Sequence, residues 1–247
     1  MPKVEKFVPG LPCWVDMSVN SSQKRKDLMA FYASVFGWRW EEGGPETGFY
    51  TMGFKGDGHV IAIGENEHGI GAWVTYFGTE DIHATLARAV ELGAQVVMPA
   101  MEVMGAGSMA LLMDPRGAMH GLWQPALFSG FDLQYEPSTS GWYDLETTDP
   151  EAAIAYYADI LGADVVRQTP DGSPLLVLAM GEQWFASVSP LTPGGPTMPP
   201  HWTPIYVVDD LTATADKVRT AGGSVIVENM PVPGMPFTVM GAGQEPS

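Results

Sequence analysis

Two stretches of this chain, residues 12–124 and 140–240, carry the same short motifs in the same order. Trp14-Val15-Asp16 opens the first stretch, and Trp142-Tyr143-Asp144 opens the second. Further matching pairs are Phe31-Tyr32 with Tyr156-Tyr157, Glu80-Asp81-Ile82 with Asp209-Asp210-Leu211, and Gly93-Ala94 with Gly222-Gly223. These matching motifs indicate a tandem duplication. A functional site present in one copy is therefore expected to have been built in the other copy as well.

Each copy divides again into two units with one pattern of elements. Alternating residues predict a strand at 12–19, and apolar residues at helical spacing predict a helix over 22–36 that ends at Gly37. Short strands with turn residues between them follow. The second copy repeats this with helices over 150–161 and 211–221, so the sequence predicts an α+β fold of four βαβββ units in two tandem domains.

The predicted domains are residues 1–127 and 140–247, joined by a linker over 128–139. The first copy has Asp114-Pro115-Arg116-Gly117 and then a further strand, whereas Phe237–Met240 is followed by seven residues only. We therefore expect the second domain to lack its closing strand. An exposed strand edge is usually covered, which favours cover by the linker or by a second protomer in a homodimer. The proline-rich stretch Pro190–Pro204 is expected to be a loop, in the position of a lid.

Composition excludes several classes of partner. The chain of 247 residues is 45% hydrophobic and has a net charge of −17 with only 12 Lys and Arg, so it repels phosphate backbones and anionic lipid surfaces. Cys13 is the only cysteine, which excludes an intrachain disulfide and a zinc site of paired cysteines. No signal peptide or membrane-spanning run is evident, so we expect a soluble cytoplasmic protein that binds neither nucleic acid nor membrane.

The unit pattern and three motifs carry a family resemblance. Four βαβββ units, the aromatic pairs before Gly37 and Gly162, and Asp114-Pro115-Arg116-Gly117 before a final strand resemble the vicinal oxygen chelate superfamily. That superfamily includes glyoxalase I, bleomycin-resistance proteins and extradiol dioxygenases. Pro12-Cys13-Trp14-Val15-Asp16 and Gly121-Leu122-Trp123-Gln124 are similar to its tandem-domain actinobacterial group, labelled as hydroxylases or 27 kDa antigens. The resemblance implies cupped sheets with helices on the convex side and the ligand on the concave side, but no particular chemistry.

Strand alternation assigns the first-strand residues to faces. Val15, Met17 and Val19 are expected to pack on the helix over 22–36, which directs the residues between them into the cup. In the second copy Tyr143 and Leu145 face the helix. The candidate catalytic residues are then Asp16 and Asp144, and the candidate substrate-binding residues are Trp14, Ser18, Trp73, Trp123, Trp142, Glu146 and His201. The plainer interpretation is that these side chains are solvated or packed against the other domain.

Metal-dependent relatives imply a ligand set that this chain lacks. Carried over by the resemblance, the first-strand ligand positions fall on Trp14 and Trp142, and a last-strand position falls on Gly121, none of which binds a cation through its side chain. The other implied positions fall near Ile63, on Trp73 or Val74, and at 201–203, where His201 alone is a ligand type. A site from His59, Glu65, His68 and His120 is an alternative, but their spacing is that of a chance scatter, and His83 lies on an exposed helix face. We expect no metal and no cofactor.

Two functions from different classes fit these residues. In the first, the cup is an enzyme site in which Asp16 or Asp144 acts as general acid or base on an oxygenated aromatic or dicarbonyl metabolite, with burial beside an indole raising the carboxyl pKa. In the second, the protein binds or sequesters a flat hydrophobic molecule, with Trp14, Trp73, Trp142 and Trp184 as stacking surfaces. The methionine-rich unit that contains Met101, Met109 and Met119 is either core filler or the wall of such a pocket.

Overall fold

The computed structural model describes residues 7–67, 70–168, 172, 174–191, 198–231 and 238–244. Four α-helices lie in these ranges: α1 Ser22–Phe36, α2 Ile82–Glu91, α3 Pro150–Leu161 and α4 Leu211–Thr220. The strands of the first copy are β1 Pro12–Val19, β2 Arg39–Glu42, β3 Thr51–Lys55, β4 Gly58–Glu65, β5 Ile70–Gly78, β6 Gln95–Val103, β7 Gly107–Met113 and β8 Met119–Pro125. Those of the second are β9 Ser140–Thr147, β10 Asp164–Gln168, β11 Pro174–Met180, β12 Gln183–Pro190, β13 His201–Tyr206, β14 Gly223–Pro231 and β15 Thr238–Gln244.

Local sequence signals account for where the helices begin and end. Ser21 accepts a hydrogen bond from the backbone of Lys24 at the start of α1, and Asp149 caps α3 in the same way. Gly37 and Gly162 follow these two helices with φ of 74° and 65°, a left-handed conformation that glycine adopts without strain. The equivalent helices of the two copies are therefore terminated by equivalent residues, as a duplication predicts.

The first copy forms one eight-stranded sheet in the order β2-β3-β4-β1-β5-β8-β7-β6. Strand β1 runs parallel to β4 and antiparallel to β5, and β5 runs parallel to β8. These four central strands carry the predicted cup residues. The second copy forms a five-stranded sheet in the order β10-β11-β12-β9-β13, and β14 pairs with β15.

Helix faces of the two sheets point toward each other. Met17 and Val19 pack with Ile63 against Leu28 and Tyr32 of α1, as alternation predicted. Contacts also join α1 to α4, α2 to α3, and β5 to β13. The faces that carry Asp16 and Asp144 are therefore the ones turned away from the contact between the two sheets.

Aromatic rings and a buried carboxylate hold the two sheets together. Trp202 packs edge-on against Phe77 of the first sheet, with ring centroids 5.2 Å apart, and against Tyr157 at 5.0 Å. The Trp202 indole nitrogen donates to the Tyr157 hydroxyl at 2.9 Å, and that hydroxyl donates to Asp114 Oδ2 at 3.1 Å. Asp114 also accepts from the backbone of Ala118, so the Asp114-Pro115-Arg116-Gly117 turn is joined to the second copy.

The α+β class and the tandem pairing of βαβββ units are confirmed, with differences in detail. Strands β2 and β10 were not predicted, because each is a short edge strand with little apolar alternation. The whole stretch Pro190–Pro204 was expected to be loop, and this was wrong at its end, where β13 begins at His201. Pairing with β9 stabilises this strand, which the prolines of the sequence do not reveal. Within the described ranges no strand pairs with the far edge of β13. The domain boundaries and the missing closing strand stay predictions.

Some expected features lie outside the described residues. These are His68, residues 192–197 of the proline-rich stretch, Phe237 and the first six residues. Among the residues that are described, no helix has the length and apolar content needed to cross a lipid bilayer.

Replacement of Trp202 tests the packing between the two sheets. Trp202 is 2% exposed, so Trp202→Ala leaves a cavity beside Phe77 and is expected to lower the free energy of unfolding by about 3–5 kcal/mol. The exposed Leu127, 90% accessible, provides the control, since Leu127→Ala is expected to change stability by less than about 0.5 kcal/mol. Urea unfolding measures both. Equal stabilities for the two variants would show that the sheets do not depend on this contact.

Candidate active site

Asp16 lies at the centre of the first sheet. Its strand β1 pairs with two neighbours that place Ala62 on one side of Asp16 and Val74 on the other. Trp14, two residues earlier on the same face, is opposite Tyr76. Across the neighbouring strands, the Asp16 carboxylate is therefore flanked by small and aliphatic side chains.

Hydroxyl groups from two tyrosines converge on one oxygen of Asp16. Tyr50 donates to Asp16 Oδ2 at 2.9 Å, and Tyr76 donates to the same oxygen at 3.1 Å. The Trp14 indole nitrogen is 2.8 Å from the Tyr50 hydroxyl. Because an indole N–H can only donate, the Tyr50 oxygen accepts from Trp14, and its own proton points to Asp16. Oδ1 is left as the oxygen able to exchange a proton with a ligand.

Burial changes the acidity of this carboxyl group. Asp16 is 8% exposed, and burial raises its pKa to about 6, while the hydrogen bonds from Tyr50 and Tyr76 work in the opposite direction. Burial also raises the pKa values of both tyrosines well above the ordinary range, so they remain hydroxyl donors. A carboxyl group that titrates near pH 6 can take up and release protons under physiological conditions.

The two tyrosine rings lie across glycines on the floor of the first cup. A Cβ atom at Gly121 would be 2.1 Å from Cδ1 of Tyr76, so the ring occupies the space of a side chain at that position. A Cβ at Gly64 would be 3.3 Å from the Tyr50 ring and 3.4 Å from Ser18 Oγ. Glycine at 121 is therefore required by the close approach of Tyr76.

The segment after β8 covers the Trp14 end of this cup. Phe128 packs edge-on against Trp14 with centroids 5.0 Å apart, and Phe131 lies at 5.2 Å. Trp123 donates from its indole nitrogen to the Phe128 carbonyl at 2.9 Å, and the Phe131 amide donates to the Cys13 carbonyl. Trp14 is thus buried by the predicted linker, and its ring faces are already in contact with protein.

Asp144 occupies the corresponding place in the second sheet, with serines as its donors. Ser187 and Ser189 donate to its two carboxylate oxygens at 2.5 and 3.0 Å, and the Trp142 indole nitrogen donates to Ser187 at 2.8 Å. Burial raises the pKa of the Asp144 carboxyl, the two serine hydroxyls lower it, the charge of Glu146 raises it, and His201 lowers it. Asp144 is half-buried, so the second cup is the more open of the two.

The strand registers show how the two cups diverged. Ser187 pairs with Asp144 where Ala62 pairs with Asp16, and two residues further on Ser189 corresponds to Gly64. On the other side Ile205 is opposite Trp142, where Tyr76 is opposite Trp14. In the first copy the residues of β4 beside Asp16 are small, and hydroxyl groups reach Asp16 from tyrosine rings. In the second copy the hydroxyl groups belong to serines of β12 itself.

The structure also locates the remaining candidates. Ser18, Trp123, Glu146 and His201 lie on cup faces, with Glu146 opposite His201 in the β9–β13 register. Trp73 does not lie in the cup: it is opposite Met17 on the helix face and packs against Tyr32, with centroids 5.8 Å apart. Its predicted position was wrong because alternation along β5 puts Val74 and Tyr76, not Trp73, beside Asp16.

Histidines of the first copy do not converge on one site. His59 Nδ1 lies 2.5 Å from Asp132 Oδ2. His120 faces the other sheet, 3.0 Å from the Tyr156 hydroxyl, and burial lowers its pKa to about 3. In the described part of the chain, no group of three or more His, Cys, Asp or Glu side chains is placed to hold a metal ion.

A fold-implied metal does not fit the residues of the first cup. The ring of Tyr76 takes the space over Gly121, where a relative would place a ligand side chain, and the neighbours of Asp16 across the strands are Ala62 and Val74. One carboxylate with two tyrosine hydroxyls already bonded to it is not the donor set of a divalent cation site.

Sequence reasoning missed the hydroxyl donors of both cups. Tyr50 comes just before β3, and its approach to Asp16 depends on tertiary packing that no local pattern reveals. Tyr76 could have been found, because it shares a strand face with Val74, opposite Trp14. Ser187 and Ser189 alternate on β12 and could have been assigned to the cup in the same way.

A recess of about 110 Å³ lies elsewhere, between the end of α1 and the start of α4. It is lined by Phe36, Ser138, Asp210 and Lys217 among others. Neither Asp16 nor Asp144 is among the residues that line it. We therefore take the cups, with their bonded carboxylates, as the candidate sites.

Comparison with known proteins agrees with this architecture. A family model described as "Glyoxalase-like domain" matches residues 16–122, and one described as "Glyoxalase/Bleomycin resistance protein/Dioxygenase superfamily" matches residues 139–238. The chain belongs to the glyoxalase/bleomycin resistance protein/dioxygenase superfamily, which is the vicinal oxygen chelate superfamily.

Two relatives match almost the whole chain. "Putative glyoxylase CFP32" of Mycobacterium tuberculosis is 34% identical, and the match covers 94% of this chain and 90% of the relative. "Anthracycline biosynthesis protein DnrV" of Streptomyces peucetius is 31% identical, with 92% and 86% covered. Both likenesses therefore include both sheets.

Solved structures share the fold at low identity. The Mn(II)-bound glyoxalase of Novosphingobium aromaticivorans superimposes with a TM-score of 0.60 at 15% identity, covering 88% of this chain and 72% of that one. The 2,3-dioxygenase LapB of Pseudomonas sp. KL28 gives 0.63 at 14% identity, with 95% and 88% covered. These likenesses show the tandem fold alone.

The pH dependence of stability tests the burial of Asp16. An unfolded aspartate has a pKa of 3.8, so between that pH and about 6 the native state binds more protons, and the free energy of unfolding falls as pH rises. In Asp16→Asn the side chain does not ionise, so this fall in the free energy of unfolding does not occur. The variant is expected to gain stability relative to the natural protein between pH 4 and pH 6, reaching on the order of 2–3 kcal/mol above pH 6.

Urea unfolding across this pH range measures the difference between the two proteins. Other titrating groups, including His120, are present in both and cancel in the comparison. A stability difference that stays constant from pH 4 to pH 7 would contradict the raised pKa of Asp16.

Proposed function

We propose that this protein is a metal-independent enzyme of the glyoxalase fold that acts on a small oxygenated metabolite, aromatic or dicarbonyl, by general acid–base chemistry in the first cup. Asp16 is the catalytic residue. Asp144 is the corresponding candidate in the second cup, where serine hydroxyls bond both of its carboxylate oxygens. The observation that carries the proposal is the buried carboxyl group of Asp16, which has a pKa of about 6 and receives two oriented hydroxyl donors on one oxygen.

A hydrogen-bond chain alone does not mark an active site. Trp202, Tyr157 and Asp114 form the same indole–hydroxyl–carboxylate chain between the two sheets, where it has a structural role. The Asp16 chain differs in two ways: it lies on the sheet face opposite α1, and its donors bond one oxygen, while the other has no hydrogen-bond partner among the residues that the structure describes. In the Asp114 carboxylate, backbone amides and Tyr157 engage both oxygens.

The chemistry that this geometry supports is proton abstraction next to a carbonyl group. Asp16 Oδ1 takes the proton as the C–H bond breaks, and the electron pair moves onto the carbonyl oxygen to give an enolate. Once Asp16 is neutral, it holds the Tyr50 hydroxyl less strongly, and that hydroxyl can donate to the enolate oxygen. Return of the proton from Asp16 to carbon completes a balanced cycle.

Two features support metal independence. The Tyr76 ring over Gly121 and the aliphatic neighbours of Asp16 leave no set of ligands around a cation. The hydroxyl donors supply the stabilisation of negative charge that a metal ion provides in other enzymes.

The proposal includes a small-molecule partner, no nucleic acid or membrane partner, a cytoplasmic location and pairing of protomers as a homodimer.

The second candidate function is binding or sequestration of a flat hydrophobic molecule without turnover. It is favoured by the small exposed fraction of Asp16, because a carboxyl group at 8% exposure exchanges protons only with a ligand that enters deeply. It is weakened at Trp14, whose ring is already packed by Phe128 and Phe131.

Exchange of carbon-bound hydrogen for deuterium tests the proposal without requiring the natural substrate. In D₂O the protein is expected to catalyse exchange at the methyl group of methylglyoxal or at C2 of 1-indanone, followed by proton NMR. The rate is expected to rise with pH through a midpoint near 6, because the carboxylate form of Asp16 is the base. Asp16→Asn is expected to lower the rate at least about a hundredfold, and chelator treatment is expected to leave it unchanged.

Asp144→Asn is the matched variant for the second cup, and it separates the contributions of the two domains. Exchange that continues unchanged in both single variants and in the double variant would overturn the catalytic proposal and favour sequestration. Loss of exchange on chelation, restored by one metal ion, would overturn metal independence.

A further inference from the structure

One wall of the first cup is apolar and only partly covered. Strands β7 and β8 pair Leu111 with Gly121 and Met109 with Trp123, and Gly121 in turn pairs with Tyr76. Residues directly opposite on neighbouring strands share a face, so Met109 and Leu111 lie on the same face as Tyr76 and Asp16. Both are half-buried, whereas Ala110 and Leu112 between and beside them are fully buried on the helix face.

The wall continues beyond these two residues. Met119 pairs with Met113 at one end of the β7–β8 ladder, and Met101 pairs with Met109 on the outer side. Met101 is 48% exposed. Met109, Met113 and Met119 are half-buried, so this sheet face presents a row of partly accessible methionine side chains. Methionine makes favourable contacts with the edges and faces of aromatic rings.

The floor beside this wall is flat. The ring of Tyr76 lies across Gly121, the ring of Tyr50 lies against Gly64, and Ala62 is opposite Asp16. Side chains that would stand up from the sheet at 62, 64 and 121 are thus small or absent. The hydroxyl groups of the two rings both bond Asp16, so the polar groups of this otherwise apolar and aromatic surface are gathered at one place.

We propose that the substrate of the first cup is a planar fused-ring aromatic compound with a carbonyl or phenolic oxygen, and not a small aliphatic dicarbonyl. This inference rests on the proposed function, because it assigns the substrate class of the same site. The ring system lies against the half-buried ring of Tyr50, with its edge along Met109 and Leu111. Its oxygenated edge reaches Asp16 and Tyr50. A dicarbonyl of three or four carbon atoms is too short to contact Asp16 and the methionine wall together, so the wall would add nothing to its binding.

Paired substrates and paired variants test this assignment. The fluorescent probe 1,4-dihydroxyanthraquinone is added to the natural protein, to Met109→Ala and to Leu111→Ala, and its dissociation constant is measured. Each truncation removes apolar contact with the ring edge and is expected to raise the dissociation constant about tenfold. Met198→Ala, at a residue 50% exposed in the second copy, is the control and is expected to leave the constant unchanged.

Deuterium exchange distinguishes substrate class from catalytic mechanism. Exchange at C2 of 1-indanone is expected to have its kcat/KM lowered about tenfold in the Met109 and Leu111 variants, while methylglyoxal exchange changes less than twofold. Met109→Leu keeps the apolar volume and is expected to retain the kcat/KM of the natural protein for 1-indanone, which excludes misfolding as the cause.

The outcomes separate the two proposals. If the anthraquinone fails to bind while methylglyoxal exchange depends on Asp16, the aromatic assignment is wrong and the catalytic proposal stands. If the anthraquinone binds in a Met109-dependent manner while Asp16→Asn leaves every exchange rate unchanged, the wall is a binding surface and the catalytic proposal falls. Equal effects of Met109→Ala on both exchange substrates would also overturn the aromatic assignment.

Discussion

The central constraint on this molecule is a carboxylate buried on a sheet face, to which no Lys, Arg or His side chain is paired in the described part of the chain. Burial of an unpaired charge is costly, and here the compensation comes from hydroxyl groups. Two tyrosines donate to Asp16, and a tryptophan fixes the direction of one of those donors. Because a hydroxyl donor stabilises the charged form less than an ammonium or guanidinium group does, the carboxyl group remains poised near neutrality and is not held permanently ionised.

The two copies build the same indole–hydroxyl–aspartate hydrogen-bond chain with different side chains. Each copy places a tryptophan and an aspartate two residues apart on the central strand, and each directs the indole N–H to a hydroxyl that donates to the aspartate. Tyrosine hydroxyls in the first copy arrive from a loop and from a neighbouring strand, whereas serine hydroxyls in the second belong to one neighbouring strand. The first site is consequently deep and aromatic, and the second is shallower and more polar. Since the helix faces meet between the copies, both cups are turned away from this contact.

The sequence predicted the fold well because duplication, alternation and helix caps all act locally. The helices over 22–36 and 150–161 were predicted with the bounds that the structure has, since a capping residue and a following glycine mark both ends. The first-strand faces were also predicted, which brought Trp14 and Asp16 together. Trp73 was misplaced because its face depends on the β1–β5 register, and Tyr50 was missed because it approaches from a loop. Register and loop packing are set by tertiary contacts, which a single sequence does not display.

Titration of the Asp16 side chain shows whether this carboxyl group is poised near neutrality. Carbon-13 NMR of the aspartate carboxyl groups, with the Asp16 signal assigned by its absence in Asp16→Asn, reports the protonation of this residue in the folded protein. A midpoint near pH 6 is expected, and it should move upward in Tyr50→Phe because one donor to the carboxylate is lost. A midpoint near 4, unchanged by the loss of the Tyr50 hydroxyl, would contradict this expectation.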